Sequence, residues 1–126
     1  MVAESDDSLD LALLAARVAD DKKADDIVVL DVGEVLAITG YFVVVSASNP
    51  RLVRTVAEAI EEATKLELER PPVRVEGLRE QQWVLLDYGD VIVHVFLASV
   101  REFYEIERLY LDVARVDWSG SASRDA

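Results

Sequence analysis

Residues 83–111, WVLLDYGDVIVHVFLASVREFYEIERLYL, decide the fold, because they predict a strand, a tight turn, a longer strand and a helix in one uninterrupted block. Two apolar runs flank residues 87–90, DYGD, which is typical of a hairpin turn in which Gly89 takes a positive φ. Ser99 and Glu102 then have the S-x-x-E spacing of a capping box, which predicts the start of a helix. One face of that helix is expected to carry Phe103, Ile106, Tyr110 and Val113.

The hairpin also predicts which side chains share a face of the sheet. If Tyr88 and Gly89 are the two loop residues, Asp87 pairs with Asp90, and Trp83 lies opposite His94. One side of the hairpin then carries Trp83, Leu85, Ile92 and His94. The other side is aliphatic and is expected to be core, with Val84, Leu86, Val91, Val93 and Val95.

The side with Trp83 and His94 fits two interpretations, a binding face or a satisfied, semi-buried pair. Trp83 is the stronger candidate for a contact, because tryptophan is enriched among interface hot spots. His94 is the only histidine, and the chain has no cysteine, so the pattern of a metal site is missing. We expect no metal and no cofactor.

The last predicted helix has a charged face beside its apolar one. Arg101, Glu105 and Arg108 follow at spacings of four and three residues, so Glu105 is placed to pair with both arginines. Tyr104 lies between this face and the apolar stripe. The pattern fits a solvated face with an amphipathic tyrosine at its margin, or a polar rim beside an interface.

The rest of the chain predicts an α/β fold in which helices flank a mixed five-stranded sheet, in the order α-β-β-α-β-β-β-α. A first helix is expected over 8–21 with Ser8 as its N-cap, followed by strands over 27–32 and 41–46. Asn49 and Pro50 open the second helix, which ends before Pro71.

A short strand over 73–76, preceded by prolines, is expected at a sheet edge. Residues 41–75 have the strand-helix-strand form that predicts a right-handed crossover and a parallel pair. We assign residues 1–7 to an acidic extension, 8–118 to a single domain and 119–126 to a disordered tail.

Composition limits the classes of partner. The 126 residues carry 13 Lys and Arg against 25 Asp and Glu, a net charge of −12. This charge repels RNA and disfavours sequence-specific nucleic-acid binding, whereas it favours a basic protein partner. The plain alternative is that it keeps a small domain soluble. No apolar run reaches the roughly 20 residues of a membrane span, and the acidic N-terminus is unlike a signal peptide, so we expect a cytoplasmic protein without membrane contact.

The chain resembles the Iojap or ribosomal silencing factor family over roughly residues 8–116. The family pattern is W-x-h-h-D-h/Y-G-D-h-h-V-H-h-F, where h is apolar, followed by R-x-F/Y-Y-x-h-E-x-h. It is matched here by Trp83, Asp87, Gly89, Asp90, Val93, His94 and Phe96, and then by Arg101, Tyr104 and Glu107. The chain departs from many relatives at Gly40, where they carry aspartate, and at Tyr110, where they carry tryptophan.

The resemblance implies a mixed-sheet fold similar to nucleotidyltransferase domains, and a protein that is not an enzyme. It implies binding to ribosomal protein fourteen of the large subunit, so that the bound protein blocks joining of the small subunit and lowers translation when nutrients are scarce. It marks four candidate contact residues, Trp83, Leu85, Tyr88 and His94, with Arg101 and Tyr104 as rim or structural support.

Two alternatives remain open at this point. The fold resemblance raises a nucleotidyltransferase activity, but the Gly-Ser loop and D-x-D pattern that hold Mg²⁺ and a triphosphate are missing. The second alternative is a structural protein that self-associates through apolar area on the hairpin or last helix. A homodimer is also compatible with the ribosomal role.

Overall fold

A six-stranded mixed sheet forms the centre of the protein, and the computed structural model describes residues 2–36 and 39–119. The elements are α1 (Val2–Asp21), β1 (Asp25–Asp31), α2 (Gly33–Leu36), β2 (Tyr41–Ala47), α3 (Pro50–Leu68), β3 (Arg74–Glu76), β4 (Trp83–Asp87), β5 (Val91–Leu97), α4 (Ala98–Tyr104), a 3₁₀ helix (Ile106–Tyr110) and β6 (Ala114–Val116).

The strands lie in the order β3-β4-β5-β2-β1-β6. The predicted mixed α/β fold is therefore confirmed, with six strands instead of five, because β6 pairs with β1. The predicted parallel partner of β2 is wrong: β2 pairs in parallel with β5, and β3 lies at the edge beyond β4. The hairpin formed by β4 and β5 fills the space between β2 and β3, which the strand-helix-strand pattern could not reveal.

Helix α3 begins as predicted. The Asn49 side-chain oxygen accepts a hydrogen bond from the Leu52 backbone N–H at 2.8 Å, and Pro50 occupies the first turn, where no intrahelical N–H bond is lost. The helix ends at Glu69, which adopts a left-handed conformation and donates its N–H to the Thr64 carbonyl. Both ends are thus set by local hydrogen bonds and backbone conformation.

Helix α1 begins at Val2, six residues before the predicted start at Ser8. Ser8 is therefore not an N-cap; it lies inside the helix, and its hydroxyl donates to the Asp90 carboxylate in the β4–β5 turn. The division into residues 1–7 and 8–118 stays a prediction, and residues 120–126 of the predicted tail lie outside the described residues.

The two faces of the sheet are covered differently. Helices α1 and α3 cover one face, and every aliphatic residue that the hairpin was predicted to turn inward is buried there. The opposite face, which we call the open face, packs against short elements among the residues described: α2 through Leu36, α4, the 3₁₀ helix and the turn that follows it. The open face therefore has side chains that are only partly buried.

The hairpin register differs from the predicted one by two residues. Trp83 pairs with Phe96 and Leu85 pairs with His94, while Tyr88 N–H donates to Val91 at 2.9 Å. The loop residues are therefore 89 and 90 instead of 88 and 89. Because side chains alternate with a period of two, this shift leaves every hairpin side chain on its predicted face.

The last predicted helix is interrupted. Helix α4 has Leu97 at its N-cap without a side-chain hydrogen bond, so the predicted capping box is wrong. Glu105 adopts a left-handed conformation (φ 48°) and ends α4, after which the chain continues as the 3₁₀ helix. Ile106, Tyr110 and Val113 pack on the open face as predicted, but Phe103 is 79% exposed.

Candidate partner-binding site

Aromatic rings form a continuous cluster on the open face. We define the aromatic cluster as Phe42, Trp83, His94, Phe96, Tyr104 and Tyr110. Trp83 lies at its centre, with ring centroids 4.7 Å from Phe96 and 5.1 Å from Tyr104. Phe42 connects the other half, 4.9 Å from His94 and 5.3 Å from Tyr110. The cluster joins β2, β4 and β5 to the segment that follows them.

Trp83 and His94 are linked by a hydrogen bond as well as by ring contact. The Trp83 indole Nε1–H donates to His94 Nδ1 at 3.1 Å. His94 is buried, whereas Trp83 is half-buried. Burial lowers the pKa of His94 to about 4, because a charged imidazolium is costly in an apolar environment. The imidazole is therefore neutral at physiological pH.

The exposed end of the cluster lies at the end of α4. Tyr104 is 54% exposed, and its ring also contacts the exposed Phe103, with centroids 5.0 Å apart and planes nearly perpendicular. Trp83, Tyr104 and Phe103 thus form an apolar path from the sheet to solvent. Large exposed apolar groups of this kind mark interaction surfaces when they are contiguous.

A shallow recess lies next to Trp83, at the β3–β4 end of the open face. Its volume is about 330 Å³, and it is lined by Glu76, Gly77, Trp83 and Leu85. Gly77 has φ 83°, and a Cβ at this position would lie 2.1 Å from the Trp83 carbonyl oxygen. Only glycine permits this close approach, so Gly77 helps to set the backbone that carries Trp83.

Arg101 is a supporting residue inside the fold. It is buried, and its guanidinium donates to the Asp26 carbonyl at 2.6 Å and to the Ser46 hydroxyl at 3.1 Å. Its ion pair is with Glu107 at 3.0 Å, and not with Glu105 as predicted. Glu105 instead pairs with Arg108 at 2.9 Å, as predicted. Arg101 therefore fixes α4 against β1 and β2, away from solvent.

Tyr88 lies on the other side of the sheet from the aromatic cluster. It is buried beneath α3, and its hydroxyl is 2.9 Å from the Thr64 hydroxyl. Burial raises the pKa of Tyr88 to about 12, although the Thr64 hydrogen bond acts in the opposite direction. The structure thus brings together the five other candidate residues around the open face and separates Tyr88 from them.

Asp90 holds the β4–β5 turn in place. Arg70 donates to its carboxylate at 2.6 and 3.1 Å, and Ser8 donates to it as well. Burial alone would raise the pKa of Asp90, but these hydrogen bonds outweigh burial and hold the pKa below its usual value. Asp87 is likewise occupied, by Arg74 at 2.9 Å.

Two further observations concern metals and membranes. Within residues 2–36 and 39–119, no group of three or more His, Asp or Glu side chains is placed to hold a metal ion. No helix in the described part of the chain is both long enough and apolar enough to cross a membrane.

Two aromatic residues near the site were missed or misplaced by the sequence pattern. Phe42 joins it from β2, although the run YFVVVS gives no sign of which face β2 presents until its partner strand is known. Phe103 was expected to face the core and is instead exposed, next to the last residue of α4.

Comparison of the sequence with known protein families gives one match over nearly the whole chain. The sequence model of a family described as "Ribosomal silencing factor during starvation" (RsfS) matches residues 5–126. The chain belongs to the RsfS family. The resemblance noted from the hairpin and the residues after it is therefore confirmed.

Individual relatives in the RsfS family match over most of their length. Ribosomal silencing factor RsfS from Bacillus subtilis is 35% identical over 104 residues, covering 82% of this chain and 87% of the relative. The Halalkalibacterium halodurans protein of the same name is 32% identical over 117 residues, covering 90% and 97%. A Chromobacterium violaceum crystal structure superposes with a TM-score of 0.77 at 34% identity, covering 80% of this chain and 83% of that one. The observed fold is thus that of solved proteins with clear sequence similarity.

Proposed function

We propose that this RsfS-family chain binds the large ribosomal subunit through ribosomal protein fourteen and blocks association with the small subunit by occupying space. Translation is then lowered when nutrients are scarce. The chain acts in the cytoplasm, as a binding protein without a catalytic step or cofactor. The family match and the names of the relatives, which describe silencing of ribosomes, support this role.

The observation that carries the proposal is the partly uncovered aromatic cluster. Trp83 is half-buried, contacts the exposed Tyr104, and borders a recess of about 330 Å³ that Leu85 also lines. Hot spots in protein interfaces combine a large aromatic anchor with an adjacent pocket, surrounded by contacts that exclude water. We assign the contact to Trp83, Leu85 and Tyr104, with His94 and Arg101 as support.

Tyr88 is left out of this surface. Its side chain is 3% exposed and lies beneath α3, so a partner on the open face does not reach it. Its hydroxyl is also occupied by Thr64. The position of Tyr88 in the family pattern is explained by core packing alone.

The net charge of −12 supports a basic protein partner. Ribosomal proteins are commonly basic, because they bind RNA, so a long-range attraction steers this chain towards them while it repels bare RNA. A small acidic protein that is held on the subunit interface also repels the RNA of the approaching small subunit.

The open face also supports self-association. A homodimer that buries Trp83 and Tyr104 hides the same surface until the ribosomal protein displaces the second copy. Under this scheme, dilution across the range in which the dimer dissociates raises the apparent affinity for ribosomal protein fourteen. An affinity that stays constant across that range contradicts a dimer formed through this face.

The test uses purified large subunits and isolated ribosomal protein fourteen, with the wild-type chain, Trp83→Ala and Leu66→Ala. Leu66 is a matched control, because it is 70% exposed on α3, on the helix-covered side of the sheet. We expect wild type and Leu66→Ala to bind equally, and Trp83→Ala to lose roughly 2 kcal/mol, about thirtyfold in Kd. Circular dichroism establishes that each variant is folded.

Two results count against the proposal. If folded Trp83→Ala binds large subunits as tightly as wild type, the assignment of the contact to the aromatic cluster is wrong. If wild type binds neither large subunits nor the isolated protein, the silencing role itself is wrong for this chain.

A further inference from the structure

The imidazole of His94 makes one side-chain hydrogen bond in the described part of the chain, and its partner is Trp83. The indole Nε1–H donates to Nδ1 at 3.1 Å, while Nε2 is buried without a hydrogen-bond partner. A buried polar atom without a partner lowers stability, so apolar packing alone does not favour histidine at this position.

The chemistry of the two rings fixes the protonation state of His94. An indole N–H donates only, so Nδ1 must be an acceptor and carries no proton. The single proton of the neutral ring is therefore on Nε2. Any second proton would enter at Nδ1 and would remove the acceptor for Trp83. The hydrogen bond thus requires one tautomer of the neutral ring.

Packing fixes the position of that acceptor. The Phe42 ring lies 4.9 Å from the imidazole at an angle of 70°, and the Phe96 ring lies nearly parallel to it at 6.1 Å. His94 is also held by the backbone on both sides, since β5 is paired with β4 and β2. Nδ1 therefore lies at a fixed point beneath the half-buried indole.

We propose that His94 is a positioning residue, which holds the Trp83 indole through the Nε1–H···Nδ1 hydrogen bond in the orientation that a partner protein recognises. His94 itself does not touch the partner. A large aromatic side chain that is held in one rotamer before binding loses less conformational entropy when the complex forms. This role in binding rests on the proposed function, whereas the hold on Trp83 does not.

The first experiment asks whether His94 holds the indole in the free protein. His94→Phe keeps an aromatic ring between Phe42 and Phe96 but removes the acceptor. His94→Asn loses the ring but keeps an oxygen near the position of Nδ1. Comparing the two variants therefore distinguishes the effect of the hydrogen bond on Trp83 from the effect of ring packing.

The readout is the indole N–H resonance of each tryptophan in ¹⁵N-correlated NMR spectra, together with its rate of exchange with water. Trp118 is the internal control, since its Nε1–H donates to the Ile27 carbonyl at 3.0 Å, away from His94. In His94→Phe we expect the Trp83 resonance to shift and to exchange at least about tenfold faster, while Trp118 is unchanged. In His94→Asn the Trp83 N–H stays protected. Equal protection of Trp83 in wild type and His94→Phe overturns the proposal.

The second experiment measures binding to purified large subunits. We expect His94→Phe and Trp83→Phe each to weaken binding by about tenfold. The double variant should bind no more weakly than Trp83→Phe, because both single changes remove the same hydrogen bond. If the effects of the two changes multiply, His94 acts independently of Trp83 and the proposal fails.

The two proposals fail in different ways. If wild type does not bind large subunits, the proposed function is overturned, and the hold of His94 on Trp83 is still decided by the NMR exchange rates. If binding is tight but the indole of His94→Phe stays protected, the proposed function survives and the positioning role does not.

Discussion

Lowering the pH from 8 to 5 is expected to destabilise the folded chain through His94. Burial is the cause of its low pKa, about 4 in the folded protein against an ordinary value of 6.5 for histidine. Between these values the unfolded chain binds a proton that the folded chain does not, so the free energy of unfolding falls as the pH falls. The contribution of His94 to stability is fully present above about pH 6.5 and is lost progressively below it.

The magnitude follows from the two pKa values. At pH 5 the unfolded imidazole is almost fully protonated and the folded one is almost fully neutral, which corresponds to a loss of about 2 kcal/mol relative to pH 8. The loss approaches about 3 kcal/mol when the pH falls below both pKa values. For a domain of this size this is a substantial part of the total stability.

The assay is urea unfolding at pH 8, 7, 6 and 5, with His94→Phe as the reference protein. The two proteins share every other titratable group, and Asp90 keeps its charge at pH 5 because Arg70 and Ser8 lower its pKa. The difference between the two proteins therefore reports His94. We expect this difference to change by about 2 kcal/mol from pH 8 to pH 5. A constant difference across that range refutes the reasoning, because His94 then ionises as easily in the folded chain as in the unfolded one.

Three further substitutions test other parts of the structure. Gly77→Ala places a Cβ 2.1 Å from the Trp83 carbonyl at a positive φ, and we expect a loss of more than about 2 kcal/mol in urea unfolding; a loss below half of that contradicts the strain. Arg101→Met leaves the Glu107 carboxylate and the Asp26 carbonyl without their partner, and we expect the free energy of unfolding to fall by about 3 kcal/mol in urea unfolding. For the exposed control Arg108→Met we expect a loss of less than about 0.5 kcal/mol. Tyr88→Phe removes a buried hydroxyl and is expected to lower stability by about 1 kcal/mol without changing the affinity for large subunits; a weaker affinity would return Tyr88 to the contact surface.

The parts of the fold that the sequence predicted well are those with a strong local signal. Asn49 and Pro50 start α3 through capping and a fixed φ, which act within one turn of helix. The faces of the hairpin follow from alternation, and they remained correct although the register was wrong by two residues. Alternation extended by one residue also places Tyr88 with the core residues Val84 and Leu86.

The parts that the sequence did not predict depend on tertiary contacts. The spacing of Ile106, Tyr110 and Val113 suggested a continuous helix, but these residues reach the sheet through a 3₁₀ helix after a left-handed Glu105. Strand β6 has three residues, which is too short for periodicity to be visible. The parallel pairing of β2 with β5 is decided by the whole sheet, and no local pattern encodes it.

The candidate site was predictable only in part for the same reason. The sequence placed Trp83, Leu85 and His94 on one face, but it left open whether Trp83 and His94 form a binding face or a semi-buried pair. The structure shows the semi-buried pair, since His94 is buried and bonded to Trp83, while Trp83 itself remains half-buried; the binding face stays a prediction. The alternation of residues along a strand shows which face a side chain lies on. It does not show that one residue of that face, His94, is buried while another, Trp83, is half-buried.

The position of the uncovered surface follows from the path of the chain after Glu105. Had α4 continued as a helix, its apolar stripe would have run past Tyr104 in a straight line. Instead the left-handed turn directs the 3₁₀ helix towards β2, where Tyr110 contacts Phe42, and β6 then pairs at the edge of β1. The chain after Glu105 thus covers the open face over β2 and β1. Over β4, the open face carries a single layer of aromatic residues. The break at Glu105, which the sequence did not predict, therefore leaves the surface at Trp83, our proposed contact, partly uncovered.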